Sequence, residues 1–480
     1  MLDKKEFDLE MAQVRQDQIE YISEYLSDYI RLNSRIREMP LNAEPDPETL
    51  RELAETPIPR AGRDMKEVAD ELVEKVFQHT MLIQHPKFFS FVTSAVSPYS
   101  LAGAVLTDIY NPNGGGWALA PGAALIEEKL IRWMGSLAGY PEETCGGVFV
   151  SGGSMANMSG LIAARNAKLA ETEYPLGVAY LSDQTHSSVA KGLRLIGFRN
   201  DQIVKIPTDD EFRFRTDLLE EAILRDQAAG KKPFAVIGTI GTTNTGAIDP
   251  LEALGEICSR YGLWFHIDGA YGGSILFSDI YRNLAKGVAL SDSLSWDTHK
   301  WALQTYSCSC IIVRDKTHLL DAFSEHPEYL EDVRSAEHND GWDLGPEMSR
   351  PHRGLKLWFT LQAMGTDKLA DVIDYSFYNA KLAERRLRSY PGWEITSKPS
   401  CGCITFRYAP EGLSSEALDD LNGAISRRIC GDGFAYVVTS TIKEKRVLRL
   451  CLINGNTTEE DVIGTVDRLD EIARELTAAL

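Results

Sequence analysis

The sequence predicts an α/β protein: a mostly parallel central sheet with helices on both faces, an N-terminal helical segment before it and a small C-terminal α/β domain after it. Two observations predict this. Short, almost continuously apolar runs alternate with helical stretches between residues 86 and 355, which is the pattern of strands buried on both faces. After residue 356 a second, shorter series of helices and strands begins. The expected divisions are therefore residues 1–85, 86–355 and 356–480.

Residues 9–33 carry Met11, Val14, Ile19, Ile22, Leu26, Ile30 and Leu32 near helical spacing, which predicts an amphipathic helix. Pro40, Pro45, Pro47, Pro57 and Pro59 then fix φ and remove donors, so an extended linker is expected before a second helix over about residues 64–83. This segment has little core of its own and is expected to pack on another subunit. The expected strands are GGVFV (146–150), GVAYLS (177–182), QIVKIP (202–207), FAVIGTIG (234–241), LWFHIDG (263–269) and CIIVRD (310–315), with helices such as MANMSGLIAARNAKLAE and LEALGEICSRYG between them. Farther on come LKLWFTLQAMG and a long helix through residue 385, the segment WEITSKPSCGCITFRYAP, a helix near 414–432 and a strand at VLRLCLI.

Lys and Arg number 50 against 70 Asp and Glu, a formal net charge of −20. Such a surface repels a phosphate backbone, so no nucleic-acid partner is expected. No apolar run approaches the ~18 residues of a membrane helix, and the N-terminus shows no apolar leader core, so no membrane partner and a cytoplasmic location are expected. Eight cysteines in 480 residues are too sparse for a disulfide framework. The pairs Cys308/Cys310 and Cys401/Cys403 lack zinc-knuckle spacing, and no metal site is expected.

Ligands of open α/β sheets bind at the carboxyl ends of the strands, and four loops there carry chemistry. SGGSMAN (151–157) frees the backbone with Gly152 and Gly153 and opens a helix at Ser154, a possible anion cradle and also a common strand-to-helix turn. SDQTHSSVAKG (182–192) holds His186, either a satisfied loop residue or a face for a planar ring. HIDGAYGG (266–273) places Asp268 at the end of a buried strand, where a carboxylate needs a cationic partner, structural or ligand, with the small Ala270 beside it. SWDTHKWA (295–302) holds Asp297, His299 and Lys300, the last either a surface residue or a desolvated amine suited to Schiff-base formation.

Taken together, a phosphate cradle, an imidazole face, a carboxylate for a ring nitrogen and an amine for an aldehyde are what pyridoxal 5'-phosphate requires. From HPKFF at 85–89 to LRLCLINGNTTEEDV at 448–462, with DQTHSS, GTTNTGAID, HIDGAYGG and the His-Lys pair in order between them, the chain resembles the group II pyridoxal-phosphate-dependent decarboxylases, the aromatic-amino-acid and glutamate decarboxylase type. The resemblance implies the fold type I, aspartate-aminotransferase-like architecture. It implies that Lys300 holds the cofactor, that Asp268 pairs with its pyridine nitrogen and that His186 stacks on its ring. Gly153, Ser154, Thr242, Ala270, Asp297 and His299 are implied cofactor contacts; Asp297 stands where other members carry Asn, so its carboxylate has to turn away from a phosphate or be offset.

The resemblance also makes Tyr329, in HPEYL, the acid that returns a proton to the substrate α-carbon once carbon dioxide has left. The surrounding polar segment is expected to act as a lid. A homodimer with active sites at the interface is implied. Aminotransferases and lyases share the fold, so fold alone does not give the reaction; Tyr329 and HPKFF favour decarboxylation. The expected substrate is a small-molecule amino acid. Phe91, Val92, Trp117 and Leu119 offer no charge for a distal carboxylate, which favours an aromatic side chain over glutamate. Gly345 aligns with a position where indole-selective relatives carry Gly. The expected reaction is thus tryptophan to tryptamine and carbon dioxide, with phenylalanine or tyrosine as alternative substrates. A non-catalytic binding protein would be expected to lack Lys300 or Asp268, and both are present.

Overall fold

A computed structural model describes residues 16–41, 46–325 and 337–479. Its centre is a seven-stranded sheet of β1 (Gly146–Val150), β2 (Gly177–Ser182), β3 (Ile203–Ile206), β4 (Lys232–Thr239), β5 (Trp264–Asp268), β6 (Ser293–Trp296) and β7 (Ser309–Val313), in the order β1-β7-β6-β5-β4-β2-β3. β7 runs antiparallel to both neighbours; β6, β5, β4, β2 and β3 pair in parallel. The α/β class with a mostly parallel sheet is therefore as the sequence predicts. One central strand is hard to read from sequence: β6 is four residues, SLSW, two of them serines.

Side-chain alternation divides the sheet into two cores. Tyr180, Val236, Phe265 and Ile267 face α5 (Pro121–Leu137), α8 (Thr216–Ala228) and α9 (Leu251–Tyr261). Ala179, Leu181, Ala235, Ile237 and Trp264 face α6 (Gly153–Lys168) and α7 (Ser187–Leu195). The chain continues from β7 through α10 (Thr317–Phe323) and then, past residues 326–336, through α11 (Leu355–Met364) and α12 (Thr366–Arg388). α12 is the expected long helix that follows LKLWFTLQAMG, and it is separated from α11 by Gly365, whose φ of +84° is left-handed backbone that a helix cannot continue through.

The smaller sheet, in the order β10-β11-β9-β8, is antiparallel: β8 (Trp393–Ser400), β9 (Cys403–Tyr408), β10 (Thr439–Ile442) and β11 (Lys445–Cys451). It is covered by α12, α13 (Ser415–Gly431) and α14 (Glu459–Ala478). Residues 85–94 lie along it, with Phe89 N–H donating to the Tyr436 carbonyl at 3.0 Å and Cys451 N–H to the Phe89 carbonyl at 2.9 Å.

At the N-terminus, α1 (Gln16–Asn33), α2 (Pro47–Glu55) and α3 (Met65–Lys75) precede α4 (Pro98–Tyr110). The expected helix over 64–83 ends at Lys75 and passes into a single tight turn, Phe77–His79. α2 and α3 bury no residue. Between α1 and α2, Ile36 and Leu41 are buried, and Arg37 reaches Asp461 of α14 at 2.7 Å.

Candidate active site

The parallel strands deliver their carboxyl ends to one edge of the sheet, and the loops after β1, β2, β4, β5 and β6 meet there. They enclose a cleft of about 280 Å³ lined by Gly153, Ser154, His186, Ala270, His299 and Lys300 among others. Asp268 and Asp297 lie on it as well.

Lys300 lines the cleft, and its Nζ lies 2.9 Å from Asp297 Oδ2. Burial depresses the ammonium, but the Asp297 carboxylate, Asp268 and Tyr306 together outweigh burial and hold the group above its ordinary pKa. The other Asp297 oxygen, Oδ1, is buried without a hydrogen-bond partner. Asp297 thus turns one oxygen to the lysine, which is how its charge is offset. His299 donates from Nδ1 to the Cys308 carbonyl at 3.0 Å, and burial, against the pull of Asp297, lowers its pKa.

Asp268 ends β5 with both oxygens engaged. Oδ1 accepts from Ala270 N–H at 3.1 Å and Ser295 Oγ at 3.4 Å; Oδ2 accepts from Asn157 Nδ2 at 3.0 Å. His186 caps α7: its Nδ1 accepts from Ser188 N–H at 3.3 Å and meets Ser188 Oγ at 2.8 Å. That bond fixes the ring at the edge of the cleft.

β1 ends at Val150, and Ser151, Gly152 and Gly153 follow it; α6 begins at the second of these glycines, against the cleft wall. A Cβ on Gly153 would stand 2.6 Å from Asp297 Oδ2 and 3.0 Å from the Ala270 Cβ. Only a glycine leaves that space open to a ligand. The first N–H groups of α6 point outward there with the positive end of the helix dipole.

Pyridoxal phosphate presents a phosphate, a ring nitrogen, a flat ring and an aldehyde, and the cleft fits each. The α6 N-terminus suits the phosphate, Asp268 the nitrogen, Ala270 and His186 the two ring faces, and Lys300 the aldehyde. Thr239 Oγ1, on the same cleft, is buried without a partner, a hydroxyl positioned to find one in a ligand.

Several expected residues lie elsewhere. Thr242 turns inward, its Oγ1 2.8 Å from Thr245 Oγ1 and accepting from Ala247 N–H; the neighbouring Thr243 lines the cleft instead. The reason is Gly241, whose φ of +79° reverses the chain and exchanges which side chain faces out. Phe91, Val92, Trp117, Leu119 and Gly345 do not line this cleft within the subunit. Phe91 and Leu119 are about half exposed, and Val92 is in the core. Trp117 borders a different cavity, with Val148 and Leu344, and stacks on His338 at 4.4 Å. A Cβ on Gly345 would meet Val148 at 3.1 Å, so the space beside it is occupied by a β1 side chain rather than open to a second ring. Tyr329 lies outside the described residues.

Conversely, the sequence reading passes over Asn157, Ser188, Thr239, Thr243 and Tyr306. Asn157 has a sequence signal, since it stands four residues after Gly153 and so on the same helix face.

Comparison with known proteins accords with this geometry. The chain is 34% identical over 471 residues to the aromatic-L-amino-acid decarboxylase of Bacillus atrophaeus, covering 97% of this chain and 96% of that one. It is 30% identical over 467 residues to the histidine decarboxylase of Homo sapiens, covering 93% and 68%. The structure superposes on Oryza sativa TDC with pyridoxal phosphate and tryptamine at a TM-score of 0.91 and 27% identity, covering 96% of this chain and 99% of that one. Residues 47–409 match the pyridoxal-dependent decarboxylase conserved domain. The cleft and these matches lead to one conclusion: the chain belongs to the pyridoxal-dependent decarboxylase family, as a carboxy-lyase whose cofactor is pyridoxal 5'-phosphate.

Proposed function

We propose that the protein decarboxylates an aromatic L-amino acid, with tryptophan preferred and tryptamine and carbon dioxide as products. One observation carries the aromatic class: among the described residues lining the cleft, Lys300 is the only Lys or Arg. A substrate with a distal carboxylate, such as glutamate, would find no second cation there. Full-length similarity to an aromatic-L-amino-acid decarboxylase supports the same class, and the fold match to a protein holding tryptamine supports the indole.

When bound, pyridoxal phosphate supplies an aldehyde for the substrate amine and a protonated ring that draws electrons from the bond to the departing carboxylate. The residues we assign around it act as follows. Lys300 Nζ accepts and releases a proton as it yields its place to the substrate amine. Asp268 holds a proton at the ring nitrogen, a charge-assisted bond made in a dry site where it counts most. The α6 N-terminus and Thr243 anchor the phosphate, and His186 and Ala270 hold the ring between them. Tyr329 is assigned, from the sequence alone, the proton returned to the α-carbon.

We also propose a homodimer whose second subunit completes each site. Phe91 and Leu119 stand exposed on the subunit, with α4 presenting Leu106, Ile109 and Tyr110 to the outside. Apolar side chains grouped in this way mark an interaction surface, and they supply the apolar wall that the cleft lacks within its own chain. The eight cysteines are all free thiols, which favours a reducing compartment, the cytoplasm.

Competition among tryptophan, phenylalanine, tyrosine and glutamate, with amine products resolved by mass spectrometry, tests the substrate. Tryptophan is expected first and phenylalanine second. A phenolic hydroxyl without a partner costs about 1–3 kcal/mol, so tyrosine is expected roughly tenfold or more behind. Glutamate winning the competition would overturn the aromatic reading, and tyrosine winning would overturn the indole preference.

A further inference from the structure

Beneath the cleft, β5 and β6 carry a polar stripe that the cofactor contacts do not explain. Strand alternation places Trp264, His266 and Asp268 on the face toward α6. The parallel register sets Ser293 beside His266 and Ser295 beside Asp268. His266, Ser293 and Asn157 are essentially inaccessible to solvent.

Their hydrogen bonds can run in one direction only. The Trp264 indole N–H is a donor with no acceptor, and it donates to Ser293 Oγ at 2.8 Å. Ser293 Oγ also lies 2.8 Å from His266 Nδ1. Because the Asp268 carboxylate only accepts, Asn157 turns its oxygen to Nε2, and in a neutral ring Nδ1 is then left to accept the Ser293 proton. The imidazole proton is left at Nε2, which donates to Asn157 Oδ1 at 3.0 Å. The amide then points its two N–H bonds at Asp268 Oδ2, 3.0 Å, and Ser188 Oγ, 3.1 Å. His186 Nδ1 accepts from the Ser188 N–H, so the Ser188 hydroxyl also donates to it.

We propose that Trp264, Ser293, His266 and Asn157 form a one-way hydrogen-bond relay that orients the Asp268 carboxylate and the His186 ring toward the cofactor, with His266 and Asn157 as its positioning residues. The proposal rests on the assignment of Asp268 and His186 to the cofactor. Burial lowers His266 to about 4, against the pull of the nearby Asp268 charge. A neutral ring is what the relay needs, because a second ring proton at Nδ1 would face the Ser293 hydroxyl proton. α6 closes over the ring: a Cβ on Gly160 would stand 2.9 Å from His266 Cε1 and Nδ1, so the helix backbone packs directly against the imidazole.

Two measurements test the relay. Nitrogen-15 NMR of cofactor-free protein with labelled histidine reports the tautomer without any substitution. A neutral His266 protonated at Nε2 at neutral pH is expected; a cationic ring, or a proton at Nδ1, would overturn the relay. The second measurement is the equilibrium affinity for pyridoxal phosphate, with circular dichroism confirming the fold of each variant. Gln can donate from nearly the position of Nε2, so His266→Gln is expected to bind within about threefold of wild type. His266→Leu removes the donor and frees the Asn157 amide to turn, with an expected weakening of about tenfold or more. If His266→Leu fails to fold, Asn157→Leu replaces it with the same expectation, and the tautomer stands independently. Wild-type uptake with unchanged affinity in the Leu variants would refute the relay alone. No uptake by wild type would refute the assignment of the cleft.

Discussion

Asp297 and Lys300 stand three residues apart, and their 2.9 Å contact decides the state of the amine before any ligand arrives. The amine has to lose its proton to attack an aldehyde. Because Asp297 is the main influence raising the Lys300 pKa, Asp297→Asn removes the chief support of the charged form. The expected result is that the pH midpoint for cofactor capture, followed by absorbance, moves to lower pH. The sign follows directly: a raised pKa keeps the amine protonated to higher pH, and removing its cause lets the free base form earlier. An unchanged midpoint would show that Asp297 does not govern Lys300. The same residue explains Gly153, since any larger side chain would occupy the space above the carboxylate.

At the scale of elements, α6 serves the site with one face. Gly153, Asn157, Gly160, Leu161 and Ala164 follow the three-to-four residue spacing of a helix face, and all are buried. Each glycine weakens the helix by about 1 kcal/mol relative to alanine, and both stand where another structure approaches closely: Asp297 and Ala270 at Gly153, His266 at Gly160. Gly153→Ala is expected to leave the circular dichroism spectrum unchanged while pyridoxal phosphate affinity falls at least about tenfold, because a 2.6 Å approach to Asp297 cannot be relieved without narrowing the cleft. Equal affinity in that variant would remove the α6 N-terminus from the cofactor site.

For the whole molecule, the governing question is what covers its exposed apolar side chains. Ile109 is 70% and Tyr110 80% exposed at the end of α4. The N-terminal helices α2 and α3 bury nothing in the subunit. A formal net charge of −20 keeps copies apart in solution, so association has to come from a large apolar contact. Sedimentation is expected to show a dimer that persists at high dilution, and Ile109→Asp with Tyr110→Asp is expected to shift it to monomer with loss of turnover. A fully active monomer would overturn the two-chain site.

The sequence by itself determined the fold class, and it singled out Asp268 and Lys300, the proposed carboxylate and amine, which the structure brings to one cleft. Each of these is local: alternation along β5 places Trp264, His266 and Asp268 on one face, and a lysine after an apolar run announces itself within eight residues. Tertiary structure decided the rest, because it depends on which distant segments become neighbours. Asn157 lies 111 residues before Asp268 and reaches it only because α6 docks across β5. β6, too short and too rich in serine to read as a strand, becomes central because β5 and β7 flank it, and its serines then complete the polar stripe. Thr243 rather than Thr242 faces the cleft because one left-handed glycine reverses the turn. The residues read as a substrate wall lie away from the cleft of their own chain, because apolar character states that a side chain will be covered and only the assembled fold states by what.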